Sequence, residues 1–260
     1  MTKIDIELND QIIIKKGVGS IIDFYKTIAK DQFEMPGLSI FITGVNSPFL
    51  NVVIDTRTEQ TINKEQMKII KNFFDRYQVP WVWLLTPIAK LNDLELNGLD
   101  LLEEAPGMYF DLSKSLPAIQ TNFKIEEADE NNDLATWIEP LNEGFPGDDS
   151  GVCYRKLNAD LLNKSEKKLR HFIAYFDNEV AAAATLFLSE DSVMLHNLAT
   201  KHKFKKRGLG KALALHRMKI AKNLGYKHCF LDASEEGYQL HRKLGLKVYC
   251  ITKAYQLKIK

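Results

Sequence analysis

Apolar residues in the C-terminal half of the chain first form short runs bounded by turn residues. Residues 171–188 are predicted to form two strands around a tight turn at Asp177-Asn178. Residues 192–200 predict a further strand. One face of this strand is expected to carry Val193, Leu195, Asn197 and Ala199.

The pattern then changes to that of a helix. Between residues 208 and 224 apolar side chains recur at helical spacing, and Gly225 supplies a stop. Residues 228–234 predict a short buried strand, 237–245 a second helix and 247–257 a last strand. The order of strands, helix, strand, helix and strand predicts an α/β arrangement.

The N-terminal half repeats this order in a more diverged form. We interpret the repetition as an internal duplication, with a linker at residues 113–122 and two domains at residues 1–118 and 119–260. Trp81 and Trp83 are expected in the core. The predicted elements are strands at residues 51–56, 80–87 and 107–112, and helices at residues 63–79 and 89–98, the second ending at Gly98.

Composition is that of a globular protein with an uneven charge distribution. The 260 residues are 45% hydrophobic and carry a net charge of +1. Residues 201–260 contain 16 Lys or Arg against three Asp or Glu, an excess of 13 positive charges. Such asymmetry fits a polyanionic ligand, and it fits a solvated basic face equally well.

Cysteine usage and hydropathy set the expected environment. Cys153, Cys229 and Cys250 are odd in number and widely spaced, so neither a disulfide framework nor a zinc site is indicated. No apolar run approaches the ~20 residues of a membrane helix, and the first residues do not resemble a signal peptide. We expect a cytoplasmic protein without a membrane partner or a bound metal.

Two glycines open the predicted helix directly behind the basic cluster. Glycines at a helix N-terminus let phosphate approach the unpaired N–H groups and the positive end of the helix dipole. The Rossmann pattern fails because Leu213 occupies the third glycine position, and the P-loop pattern fails because Ala212 follows Lys211. The segment Gly208-Leu209-Gly210 therefore predicts a pyrophosphate cradle of another kind.

Residues 198–213 fall, without a gap, on the frame of the pattern L-A-V-x-P-x-x-[RQ]-x-x-G-x-[GA]-x-x-L, with His202 in place of the Pro and Lys205 in place of the Arg or Gln. Residues 225–249 resemble the segment that usually follows it. In both segments the sequence resembles the GNAT superfamily of acyl-CoA-dependent N-acyltransferases. The resemblance implies acetyl-CoA as co-substrate. It also implies two GNAT-like domains, each a mixed, mostly antiparallel sheet flanked by helices, of which only the second holds CoA.

The resemblance also assigns roles to individual residues. Ser234 stands where the family often has an Asn that touches pantetheine. The main chain of Leu198, Ala199 and Thr200 would pair with the pantetheine arm. Backbone amides would hold the pyrophosphate at Lys205, Lys206, Arg207, Gly208, Leu209, Gly210 and Lys211.

The catalytic positions depart from the family pattern. His241 replaces the Tyr that often protonates the departing thiolate; it is either a general acid or base, or a half-exposed helical residue. Tyr238, one turn earlier, is the alternative donor. No general base is assigned, since His196 and Asn197 are the only polar groups of the strand before Thr200. Glu143, Asp148 and Asp149 either bind a cationic amine or are solvated.

Three functions compete at this point. The first is an acetyl-CoA-dependent N-acetyltransferase acting on the primary amine of a small molecule, an amino acid or a peptide. The second is a catalytically silent CoA-binding or protein-interaction module. Nucleic-acid binding by residues 201–207 is the third, and the net charge of +1 argues against it. The protein is expected to be a monomer or a homodimer.

Overall fold

The computed structural model describes residues 4–90, 93–118, 123–128, 134–145 and 168–258. The chain divides into two compact units. Unit 1 comprises Met1–Gly107, Asp232–Glu235 and Val248–Lys260; unit 2 comprises Met108–Leu231 and Glu236–Lys247. These boundaries differ from the predicted domains 1–118 and 119–260, because the last strand returns to unit 1.

Unit 1 is built on a mixed sheet. Its strands follow the order β1-β2-β3-β4-β11-β5. Neighbours are antiparallel from β1 to β3 and between β4 and β11, whereas β3 and β4 are parallel. The elements are α1 (Gln11–Ile28), β1 (Asp31–Met35), β2 (Leu38–Ile42), β3 (Asn51–Asp55), α2 (Lys64–Tyr77), β4 (Val82–Leu85), β5 (Leu99–Asp111, up to Gly107) and β11 (Lys247–Leu257, from Val248).

Unit 2 has the same kind of sheet. The end of β5 lies beside β10, and the order continues β10-β9-β8-β7-β6. All neighbours from β6 to β9 are antiparallel, and β9 and β10 are parallel. The elements are β6 (Lys124–Ala128), α3 (Leu134–Gly144), β7 (Leu169–Phe176), β8 (Glu179–Leu188), β9 (Val193–Thr200), α4 (Leu209–Asn223), β10 (His228–Asp232) and α5 (Glu235–Lys243).

The predicted fold class is confirmed: both sheets are mixed, mostly antiparallel and accompanied by helices. The hairpin turn is also confirmed, because Asp177 and Asn178 both adopt the left-handed conformation that a tight turn requires. The predicted helix at residues 89–98 is wrong. Of the described residues in this segment, only Glu95–Asn97 are helical, in a 3₁₀ turn before Gly98. A segment this short forms a longer helix only where tertiary packing supports it.

Buried charge organises the core of unit 1 at the end of β3. Asp55 is fully buried and accepts hydrogen bonds from Arg57 Nη2 at 2.7 Å and from Trp83 Nε1 at 2.9 Å. Arg57 also binds Asp93 at 2.9 Å. Trp81 stacks on Phe74 with ring centroids 4.6 Å apart, so both tryptophans lie in the core as predicted. The cluster is fully paired and therefore structural.

Asp55→Asn is expected to destabilise the protein by about 3 kcal/mol, because it leaves the buried Arg57 with incomplete charge compensation. Urea unfolding followed by circular dichroism measures this change. The matched control is Glu126→Gln, which breaks the exposed Lys124–Glu126 pair and should leave the unfolding midpoint unchanged. Equal unfolding midpoints for the two variants would contradict the structural role of Asp55.

Candidate functional site

Strand β9 contains one residue more than β8 over the same length. Ala183 lies opposite Ala199 and Thr185 opposite His196, so two residues of β9 face Ala184 alone. Asn197 takes up the extra length in a left-handed conformation with φ of 53°. The predicted alternation is therefore wrong beyond Asn197: the bulge moves Ala199 to the face opposite Leu195.

Beyond its first two residues β9 separates from its parallel neighbour. The ladder with β10 contains only Val193–Cys229 and Met194–Phe230, although β9 continues to Thr200. One edge of β9 is therefore not paired with β10 over Leu198 and Thr200, both of which are half-buried. An extended ligand can add to such an edge through main-chain hydrogen bonds.

The loop behind β9 delivers the start of α4 to the same place. A 3₁₀ turn, His202–Phe204, follows the strand, and Lys206 and Gly208 are left-handed with φ of 64° and 93°. Gly208 is the N-cap of α4 and brings no side chain to the first turn. The N–H groups of this turn are the unpaired donors that bind phosphate at other helix N-termini.

Gly210 lies where the end of β9, the start of α4 and α5 approach one another. A Cβ atom at this position would lie 3.3 Å from Leu240 Cδ2 and 3.9 Å from both Leu198 Cδ2 and Thr200 Oγ1. The structure thus brings together Leu198, Thr200 and Gly210 of the predicted cofactor site. A side chain longer than alanine at position 210 would fill the space between them.

Carboxylates pair with three lysines of this loop and with His202. Lys206, Arg207 and Lys211 are exposed and have no carboxylate partner among the described residues. The Arg207 guanidinium instead lies 4.6 Å from the ring centroid of Phe176. The pairs are Lys201–Glu139 (2.6 Å), His202–Glu143 (2.6 Å), Lys203–Glu179 and Lys205–Glu236 (2.9 Å). Composition alone thus overstates the positive charge that a ligand meets here.

Glu143, one of the acids considered for amine binding, holds the loop instead. It accepts hydrogen bonds from the His202 backbone N–H and from His202 Nδ1, and the backbone bond is the main cause of its lowered pKa. This contact connects the end of α3 to the 3₁₀ turn. Asp148, Asp149 and Cys153 lie outside the described residues.

The two predicted proton donors lie on α5 in different environments. His241 is buried, not half-exposed, and its Nδ1 has no hydrogen-bond partner among the described residues. Burial, with a smaller contribution from the charge of Arg217, lowers the pKa of His241 to about 4. Tyr238 is half-buried, with the Arg242 guanidinium 6.0 Å from its ring centroid. The catalytic role of each remains a prediction.

Ser234 is exposed and precedes α5 in the segment Asp232–Glu235, which belongs to unit 1. Its role toward pantetheine remains a prediction.

A row of polar side chains that sequence reasoning missed crosses unit 2. His171, Thr185 and His196 are opposite one another on β7, β8 and β9. His171 Nδ1 lies 2.8 Å from Thr185 Oγ1, and burial lowers the pKa of His171 to about 3. His196 is half-buried as a residue, but its Nε2 is enclosed, and burial lowers its pKa to about 4. The row can be identified only when the pairing of β8 with β7 and β9 is known, because its three members are far apart in the sequence.

Two negative observations apply to the described residues. No group of three or more His, Cys, Asp or Glu side chains there could hold a metal ion. No helix within them has the length and hydropathy needed to cross a lipid bilayer. Cys229 and Cys250 are both buried free thiols.

Residues 134–246 match the protein family described as Acetyltransferase (GNAT) family. This range contains the β9 bulge, the glycine loop and both candidate donors. The match covers 113 of the 260 residues and identifies this part of the chain as similar to the GNAT acetyltransferases. No curated protein sequence matches the chain significantly.

Solved structures share the fold over nearly the whole chain. A GCN5-related N-acetyltransferase from Kribbella flavida superposes with a TM-score of 0.72 at 12% identity, covering 94% of this chain and 97% of that one. A functionally unknown conserved protein from Staphylococcus epidermidis gives 0.68 at 11% identity over 90% and 98%. A tandem GNAT protein from the clavulanic acid biosynthesis pathway gives 0.57 at 10% identity over 93% and 94%. These likenesses define the fold and leave the substrate open.

The buried histidines predict an acid-sensitive protein. The pKa values of His171 and His241 fall from 6.5 to about 3 and about 4 on folding. Below pH 6.5 the unfolded chain binds protons that the folded chain does not, so the unfolding free energy should fall toward pH 4. Each histidine contributes up to about 1.4 kcal/mol per pH unit. Urea titrations at several pH values measure the slope, which should decrease in His171→Gln; an identical slope would contradict the assignment.

Proposed function

We propose that the protein is an acetyl-CoA-dependent N-acetyltransferase that acts on a primary amine. The observation that carries the proposal is the junction at Gly210. There an unpaired edge of β9 and an uncapped helix N-terminus meet within a GNAT domain. Such a junction suits a ligand with an amide-containing arm attached to a pyrophosphate.

Different groups of the chain would bind different parts of acetyl-CoA. Main-chain groups of Leu198, Ala199 and Thr200 would pair with the pantetheine arm. The pyrophosphate would be held by N–H groups of Lys205–Lys211, with the charges of Lys206, Arg207 and Lys211 nearby. Ser234 is proposed to contact pantetheine as well. Bound acetyl-CoA supplies an activated thioester.

The reaction needs one proton donor at the leaving sulfur. A C–N bond forms between the amine and the acetyl carbon, the C–S bond breaks, the amine nitrogen gives up one proton to solvent, and the sulfur takes up a proton. His241, with its pKa near 4, is neutral at pH 7 and is a weak donor in that form. Tyr238 is therefore our first candidate for the donor and His241 the second.

The geometry of unit 1 argues against a second cofactor site in the chain. Its corresponding strands, β3 and β4, stay paired from Val52–Val82 to Asp55–Leu85. The N-terminus of α2 is occupied by its own capping box, in which Asn63 and Gln66 bind each other's backbone N–H groups. We propose that residues 1–118 are a degenerate GNAT-like domain without a CoA site, and that residues 119–260 are the transferase domain.

The acceptor is proposed to be a small molecule, an amino acid or a peptide, and the protein to be a cytoplasmic monomer or homodimer. A silent CoA-binding or protein-interaction module is the alternative, favoured by the low pKa of His241 at the position of the usual Tyr. Nucleic acid is a poorer ligand, because three lysines of this cluster, Lys201, Lys203 and Lys205, already have carboxylate partners.

Gly210→Glu should abolish binding of acetyl-CoA, because it introduces bulk and negative charge between Leu198, Thr200 and Leu240. We expect at least a 100-fold loss of affinity, about 2.7 kcal/mol, by isothermal titration calorimetry. Gly210→Ala should weaken binding far less, since its Cβ meets only flexible side chains. Gly19→Glu, on α1 with open space around it, controls for the added charge. Unaltered binding by Gly210→Glu would refute the proposed site.

Tyr238→Phe should lower kcat by roughly 100-fold with little change in the affinity for acetyl-CoA, if its hydroxyl is the proton donor. His241→Gln should retain most of the rate. Free-thiol release with a panel of amines measures both. The reverse ranking would assign the proton to His241, and full activity in both variants would exclude both residues. Tight binding of acetyl-CoA by the wild type without thiol release from any amine would favour the silent module.

A further inference from the structure

Main-chain carbonyls at the β9 bulge accept hydrogen bonds from side chains outside the sheet. Between the Ala183–Ala199 and Thr185–His196 pairs, the ladder skips a step. Arg217 Nη1 donates to the carbonyl oxygens of Thr185 at 2.7 Å and of His196 at 2.9 Å. Trp137 Nε1 donates to the carbonyl oxygen of Ala184 at 3.2 Å. Two side chains from outside the sheet thus satisfy the bulge.

These two donors reach the bulge from opposite faces of the sheet. Trp137 on α3 packs on His171, with ring centroids 4.1 Å apart. His216, which precedes Arg217 on α4, packs on Phe172 at 5.3 Å. Because His171 and Phe172 are consecutive in β7, their side chains point to opposite faces. We call Arg217 and Trp137 together the bulge clamp.

Stability alone does not explain an arginine at this position. Arg217 is fully buried, its Nη2 has no hydrogen-bond partner, and no carboxylate contacts it among the described residues. Burial lowers the pKa of its guanidinium to about 9. A buried guanidinium without a counter-ion is costly, and an apolar side chain of similar volume would fill a core position at lower cost.

The bulge adjoins the edge proposed for the pantetheine arm. Its residues Asn197 and Leu198 follow the start of β9, which pairs with β10, and Leu198 is also the first residue of that edge. The left-handed Asn197 turns the main chain out of the regular ladder at this point. Fixed main-chain N–H groups at such a bend can bind a carbonyl oxygen that gains charge during acyl transfer.

We propose that Arg217 and Trp137 are positioning residues that hold the β9 bulge so that its main chain binds the thioester carbonyl of the acetyl donor. This role rests on the proposed function. The phosphates would be held separately by the first turn of α4, whose conformation depends on Gly208. Loss of the clamp should therefore impair recognition and transfer of the acetyl group while leaving the affinity for CoA itself intact.

The test compares CoA with acetyl-CoA in three variants. Trp137→Phe removes the indole N–H and keeps an aromatic ring at this position. Arg217→Met removes the hydrogen-bond donors and the charge. Arg217→Lys keeps a charged donor. Calorimetry gives the Kd of both ligands, and thiol release gives kcat and KM. We expect the Kd of CoA to stay within about twofold, and kcat to fall by about tenfold or more in Trp137→Phe and Arg217→Met. The affinity ratio of acetyl-CoA to CoA should fall as well, and Arg217→Lys should recover part of both losses.

The control is Arg170→Lys, which alters another arginine of unit 2, one that pairs with Glu127 at 2.6 Å and, among the described residues, donates no hydrogen bond to the bulge. It should leave the affinity ratio and kcat unchanged. A second readout is the amide signal of Asn197 in ¹⁵N-asparagine-labelled protein, which should move in the clamp variants and stay in Arg170→Lys.

The outcomes distinguish failure of the proposed function from failure of the proposed role of the bulge clamp. If the wild type binds neither ligand, the proposed function fails and the clamp loses its role with it. If the wild type binds and turns over, and the clamp variants keep the same affinity ratio, kcat and Asn197 signal, only the clamp is refuted. If Arg217→Met does not fold, Trp137→Phe decides, since it removes a single hydrogen bond.

Discussion

The stretch of β9 that is not paired with β10 is the constraint on which the rest of unit 2 depends. A β-strand that leaves its ladder must find other partners for its polar main chain, because buried unpaired carbonyls and N–H groups are costly. The protein meets this cost with a left-handed asparagine and with two buried donors from opposite faces. The edge of β9 that faces away from β8 remains open over Leu198–Thr200 and is available to a ligand.

The two units differ in structure at the point where the cofactor site is proposed. In unit 1 the parallel pair stays closed as far as Asp55, and Asn63 caps the helix that follows. In unit 2 the pair parts after Met194, and a glycine stands at the helix cap. Strand order and helix placement are alike in kind, so the difference lies in local main-chain geometry at one end of one strand.

Local rules explain which features the sequence predicts. Gly208 and Gly210 were identifiable because their roles depend on neighbours along the chain. The bulge could not be identified in this way, since only the pairing of β9 with β8 reveals the extra residue. The neutralised loop was missed because Glu139, Glu143 and Glu179 come from distant elements. Arg217 did leave a signal: it follows Leu213 by four residues, on the apolar face of α4.

The path of the chain between the units has a consequence for how the protein is made. Unit 1 takes its strand β11 from the last residues, and Val248 in that strand accepts hydrogen bonds from the N–H groups of Glu7 and Leu8. The segments of unit 2 are all synthesised before β11. The N-terminal part therefore completes its sheet only after the segments of unit 2 have been made, and these contacts of large sequence separation form late and slowly.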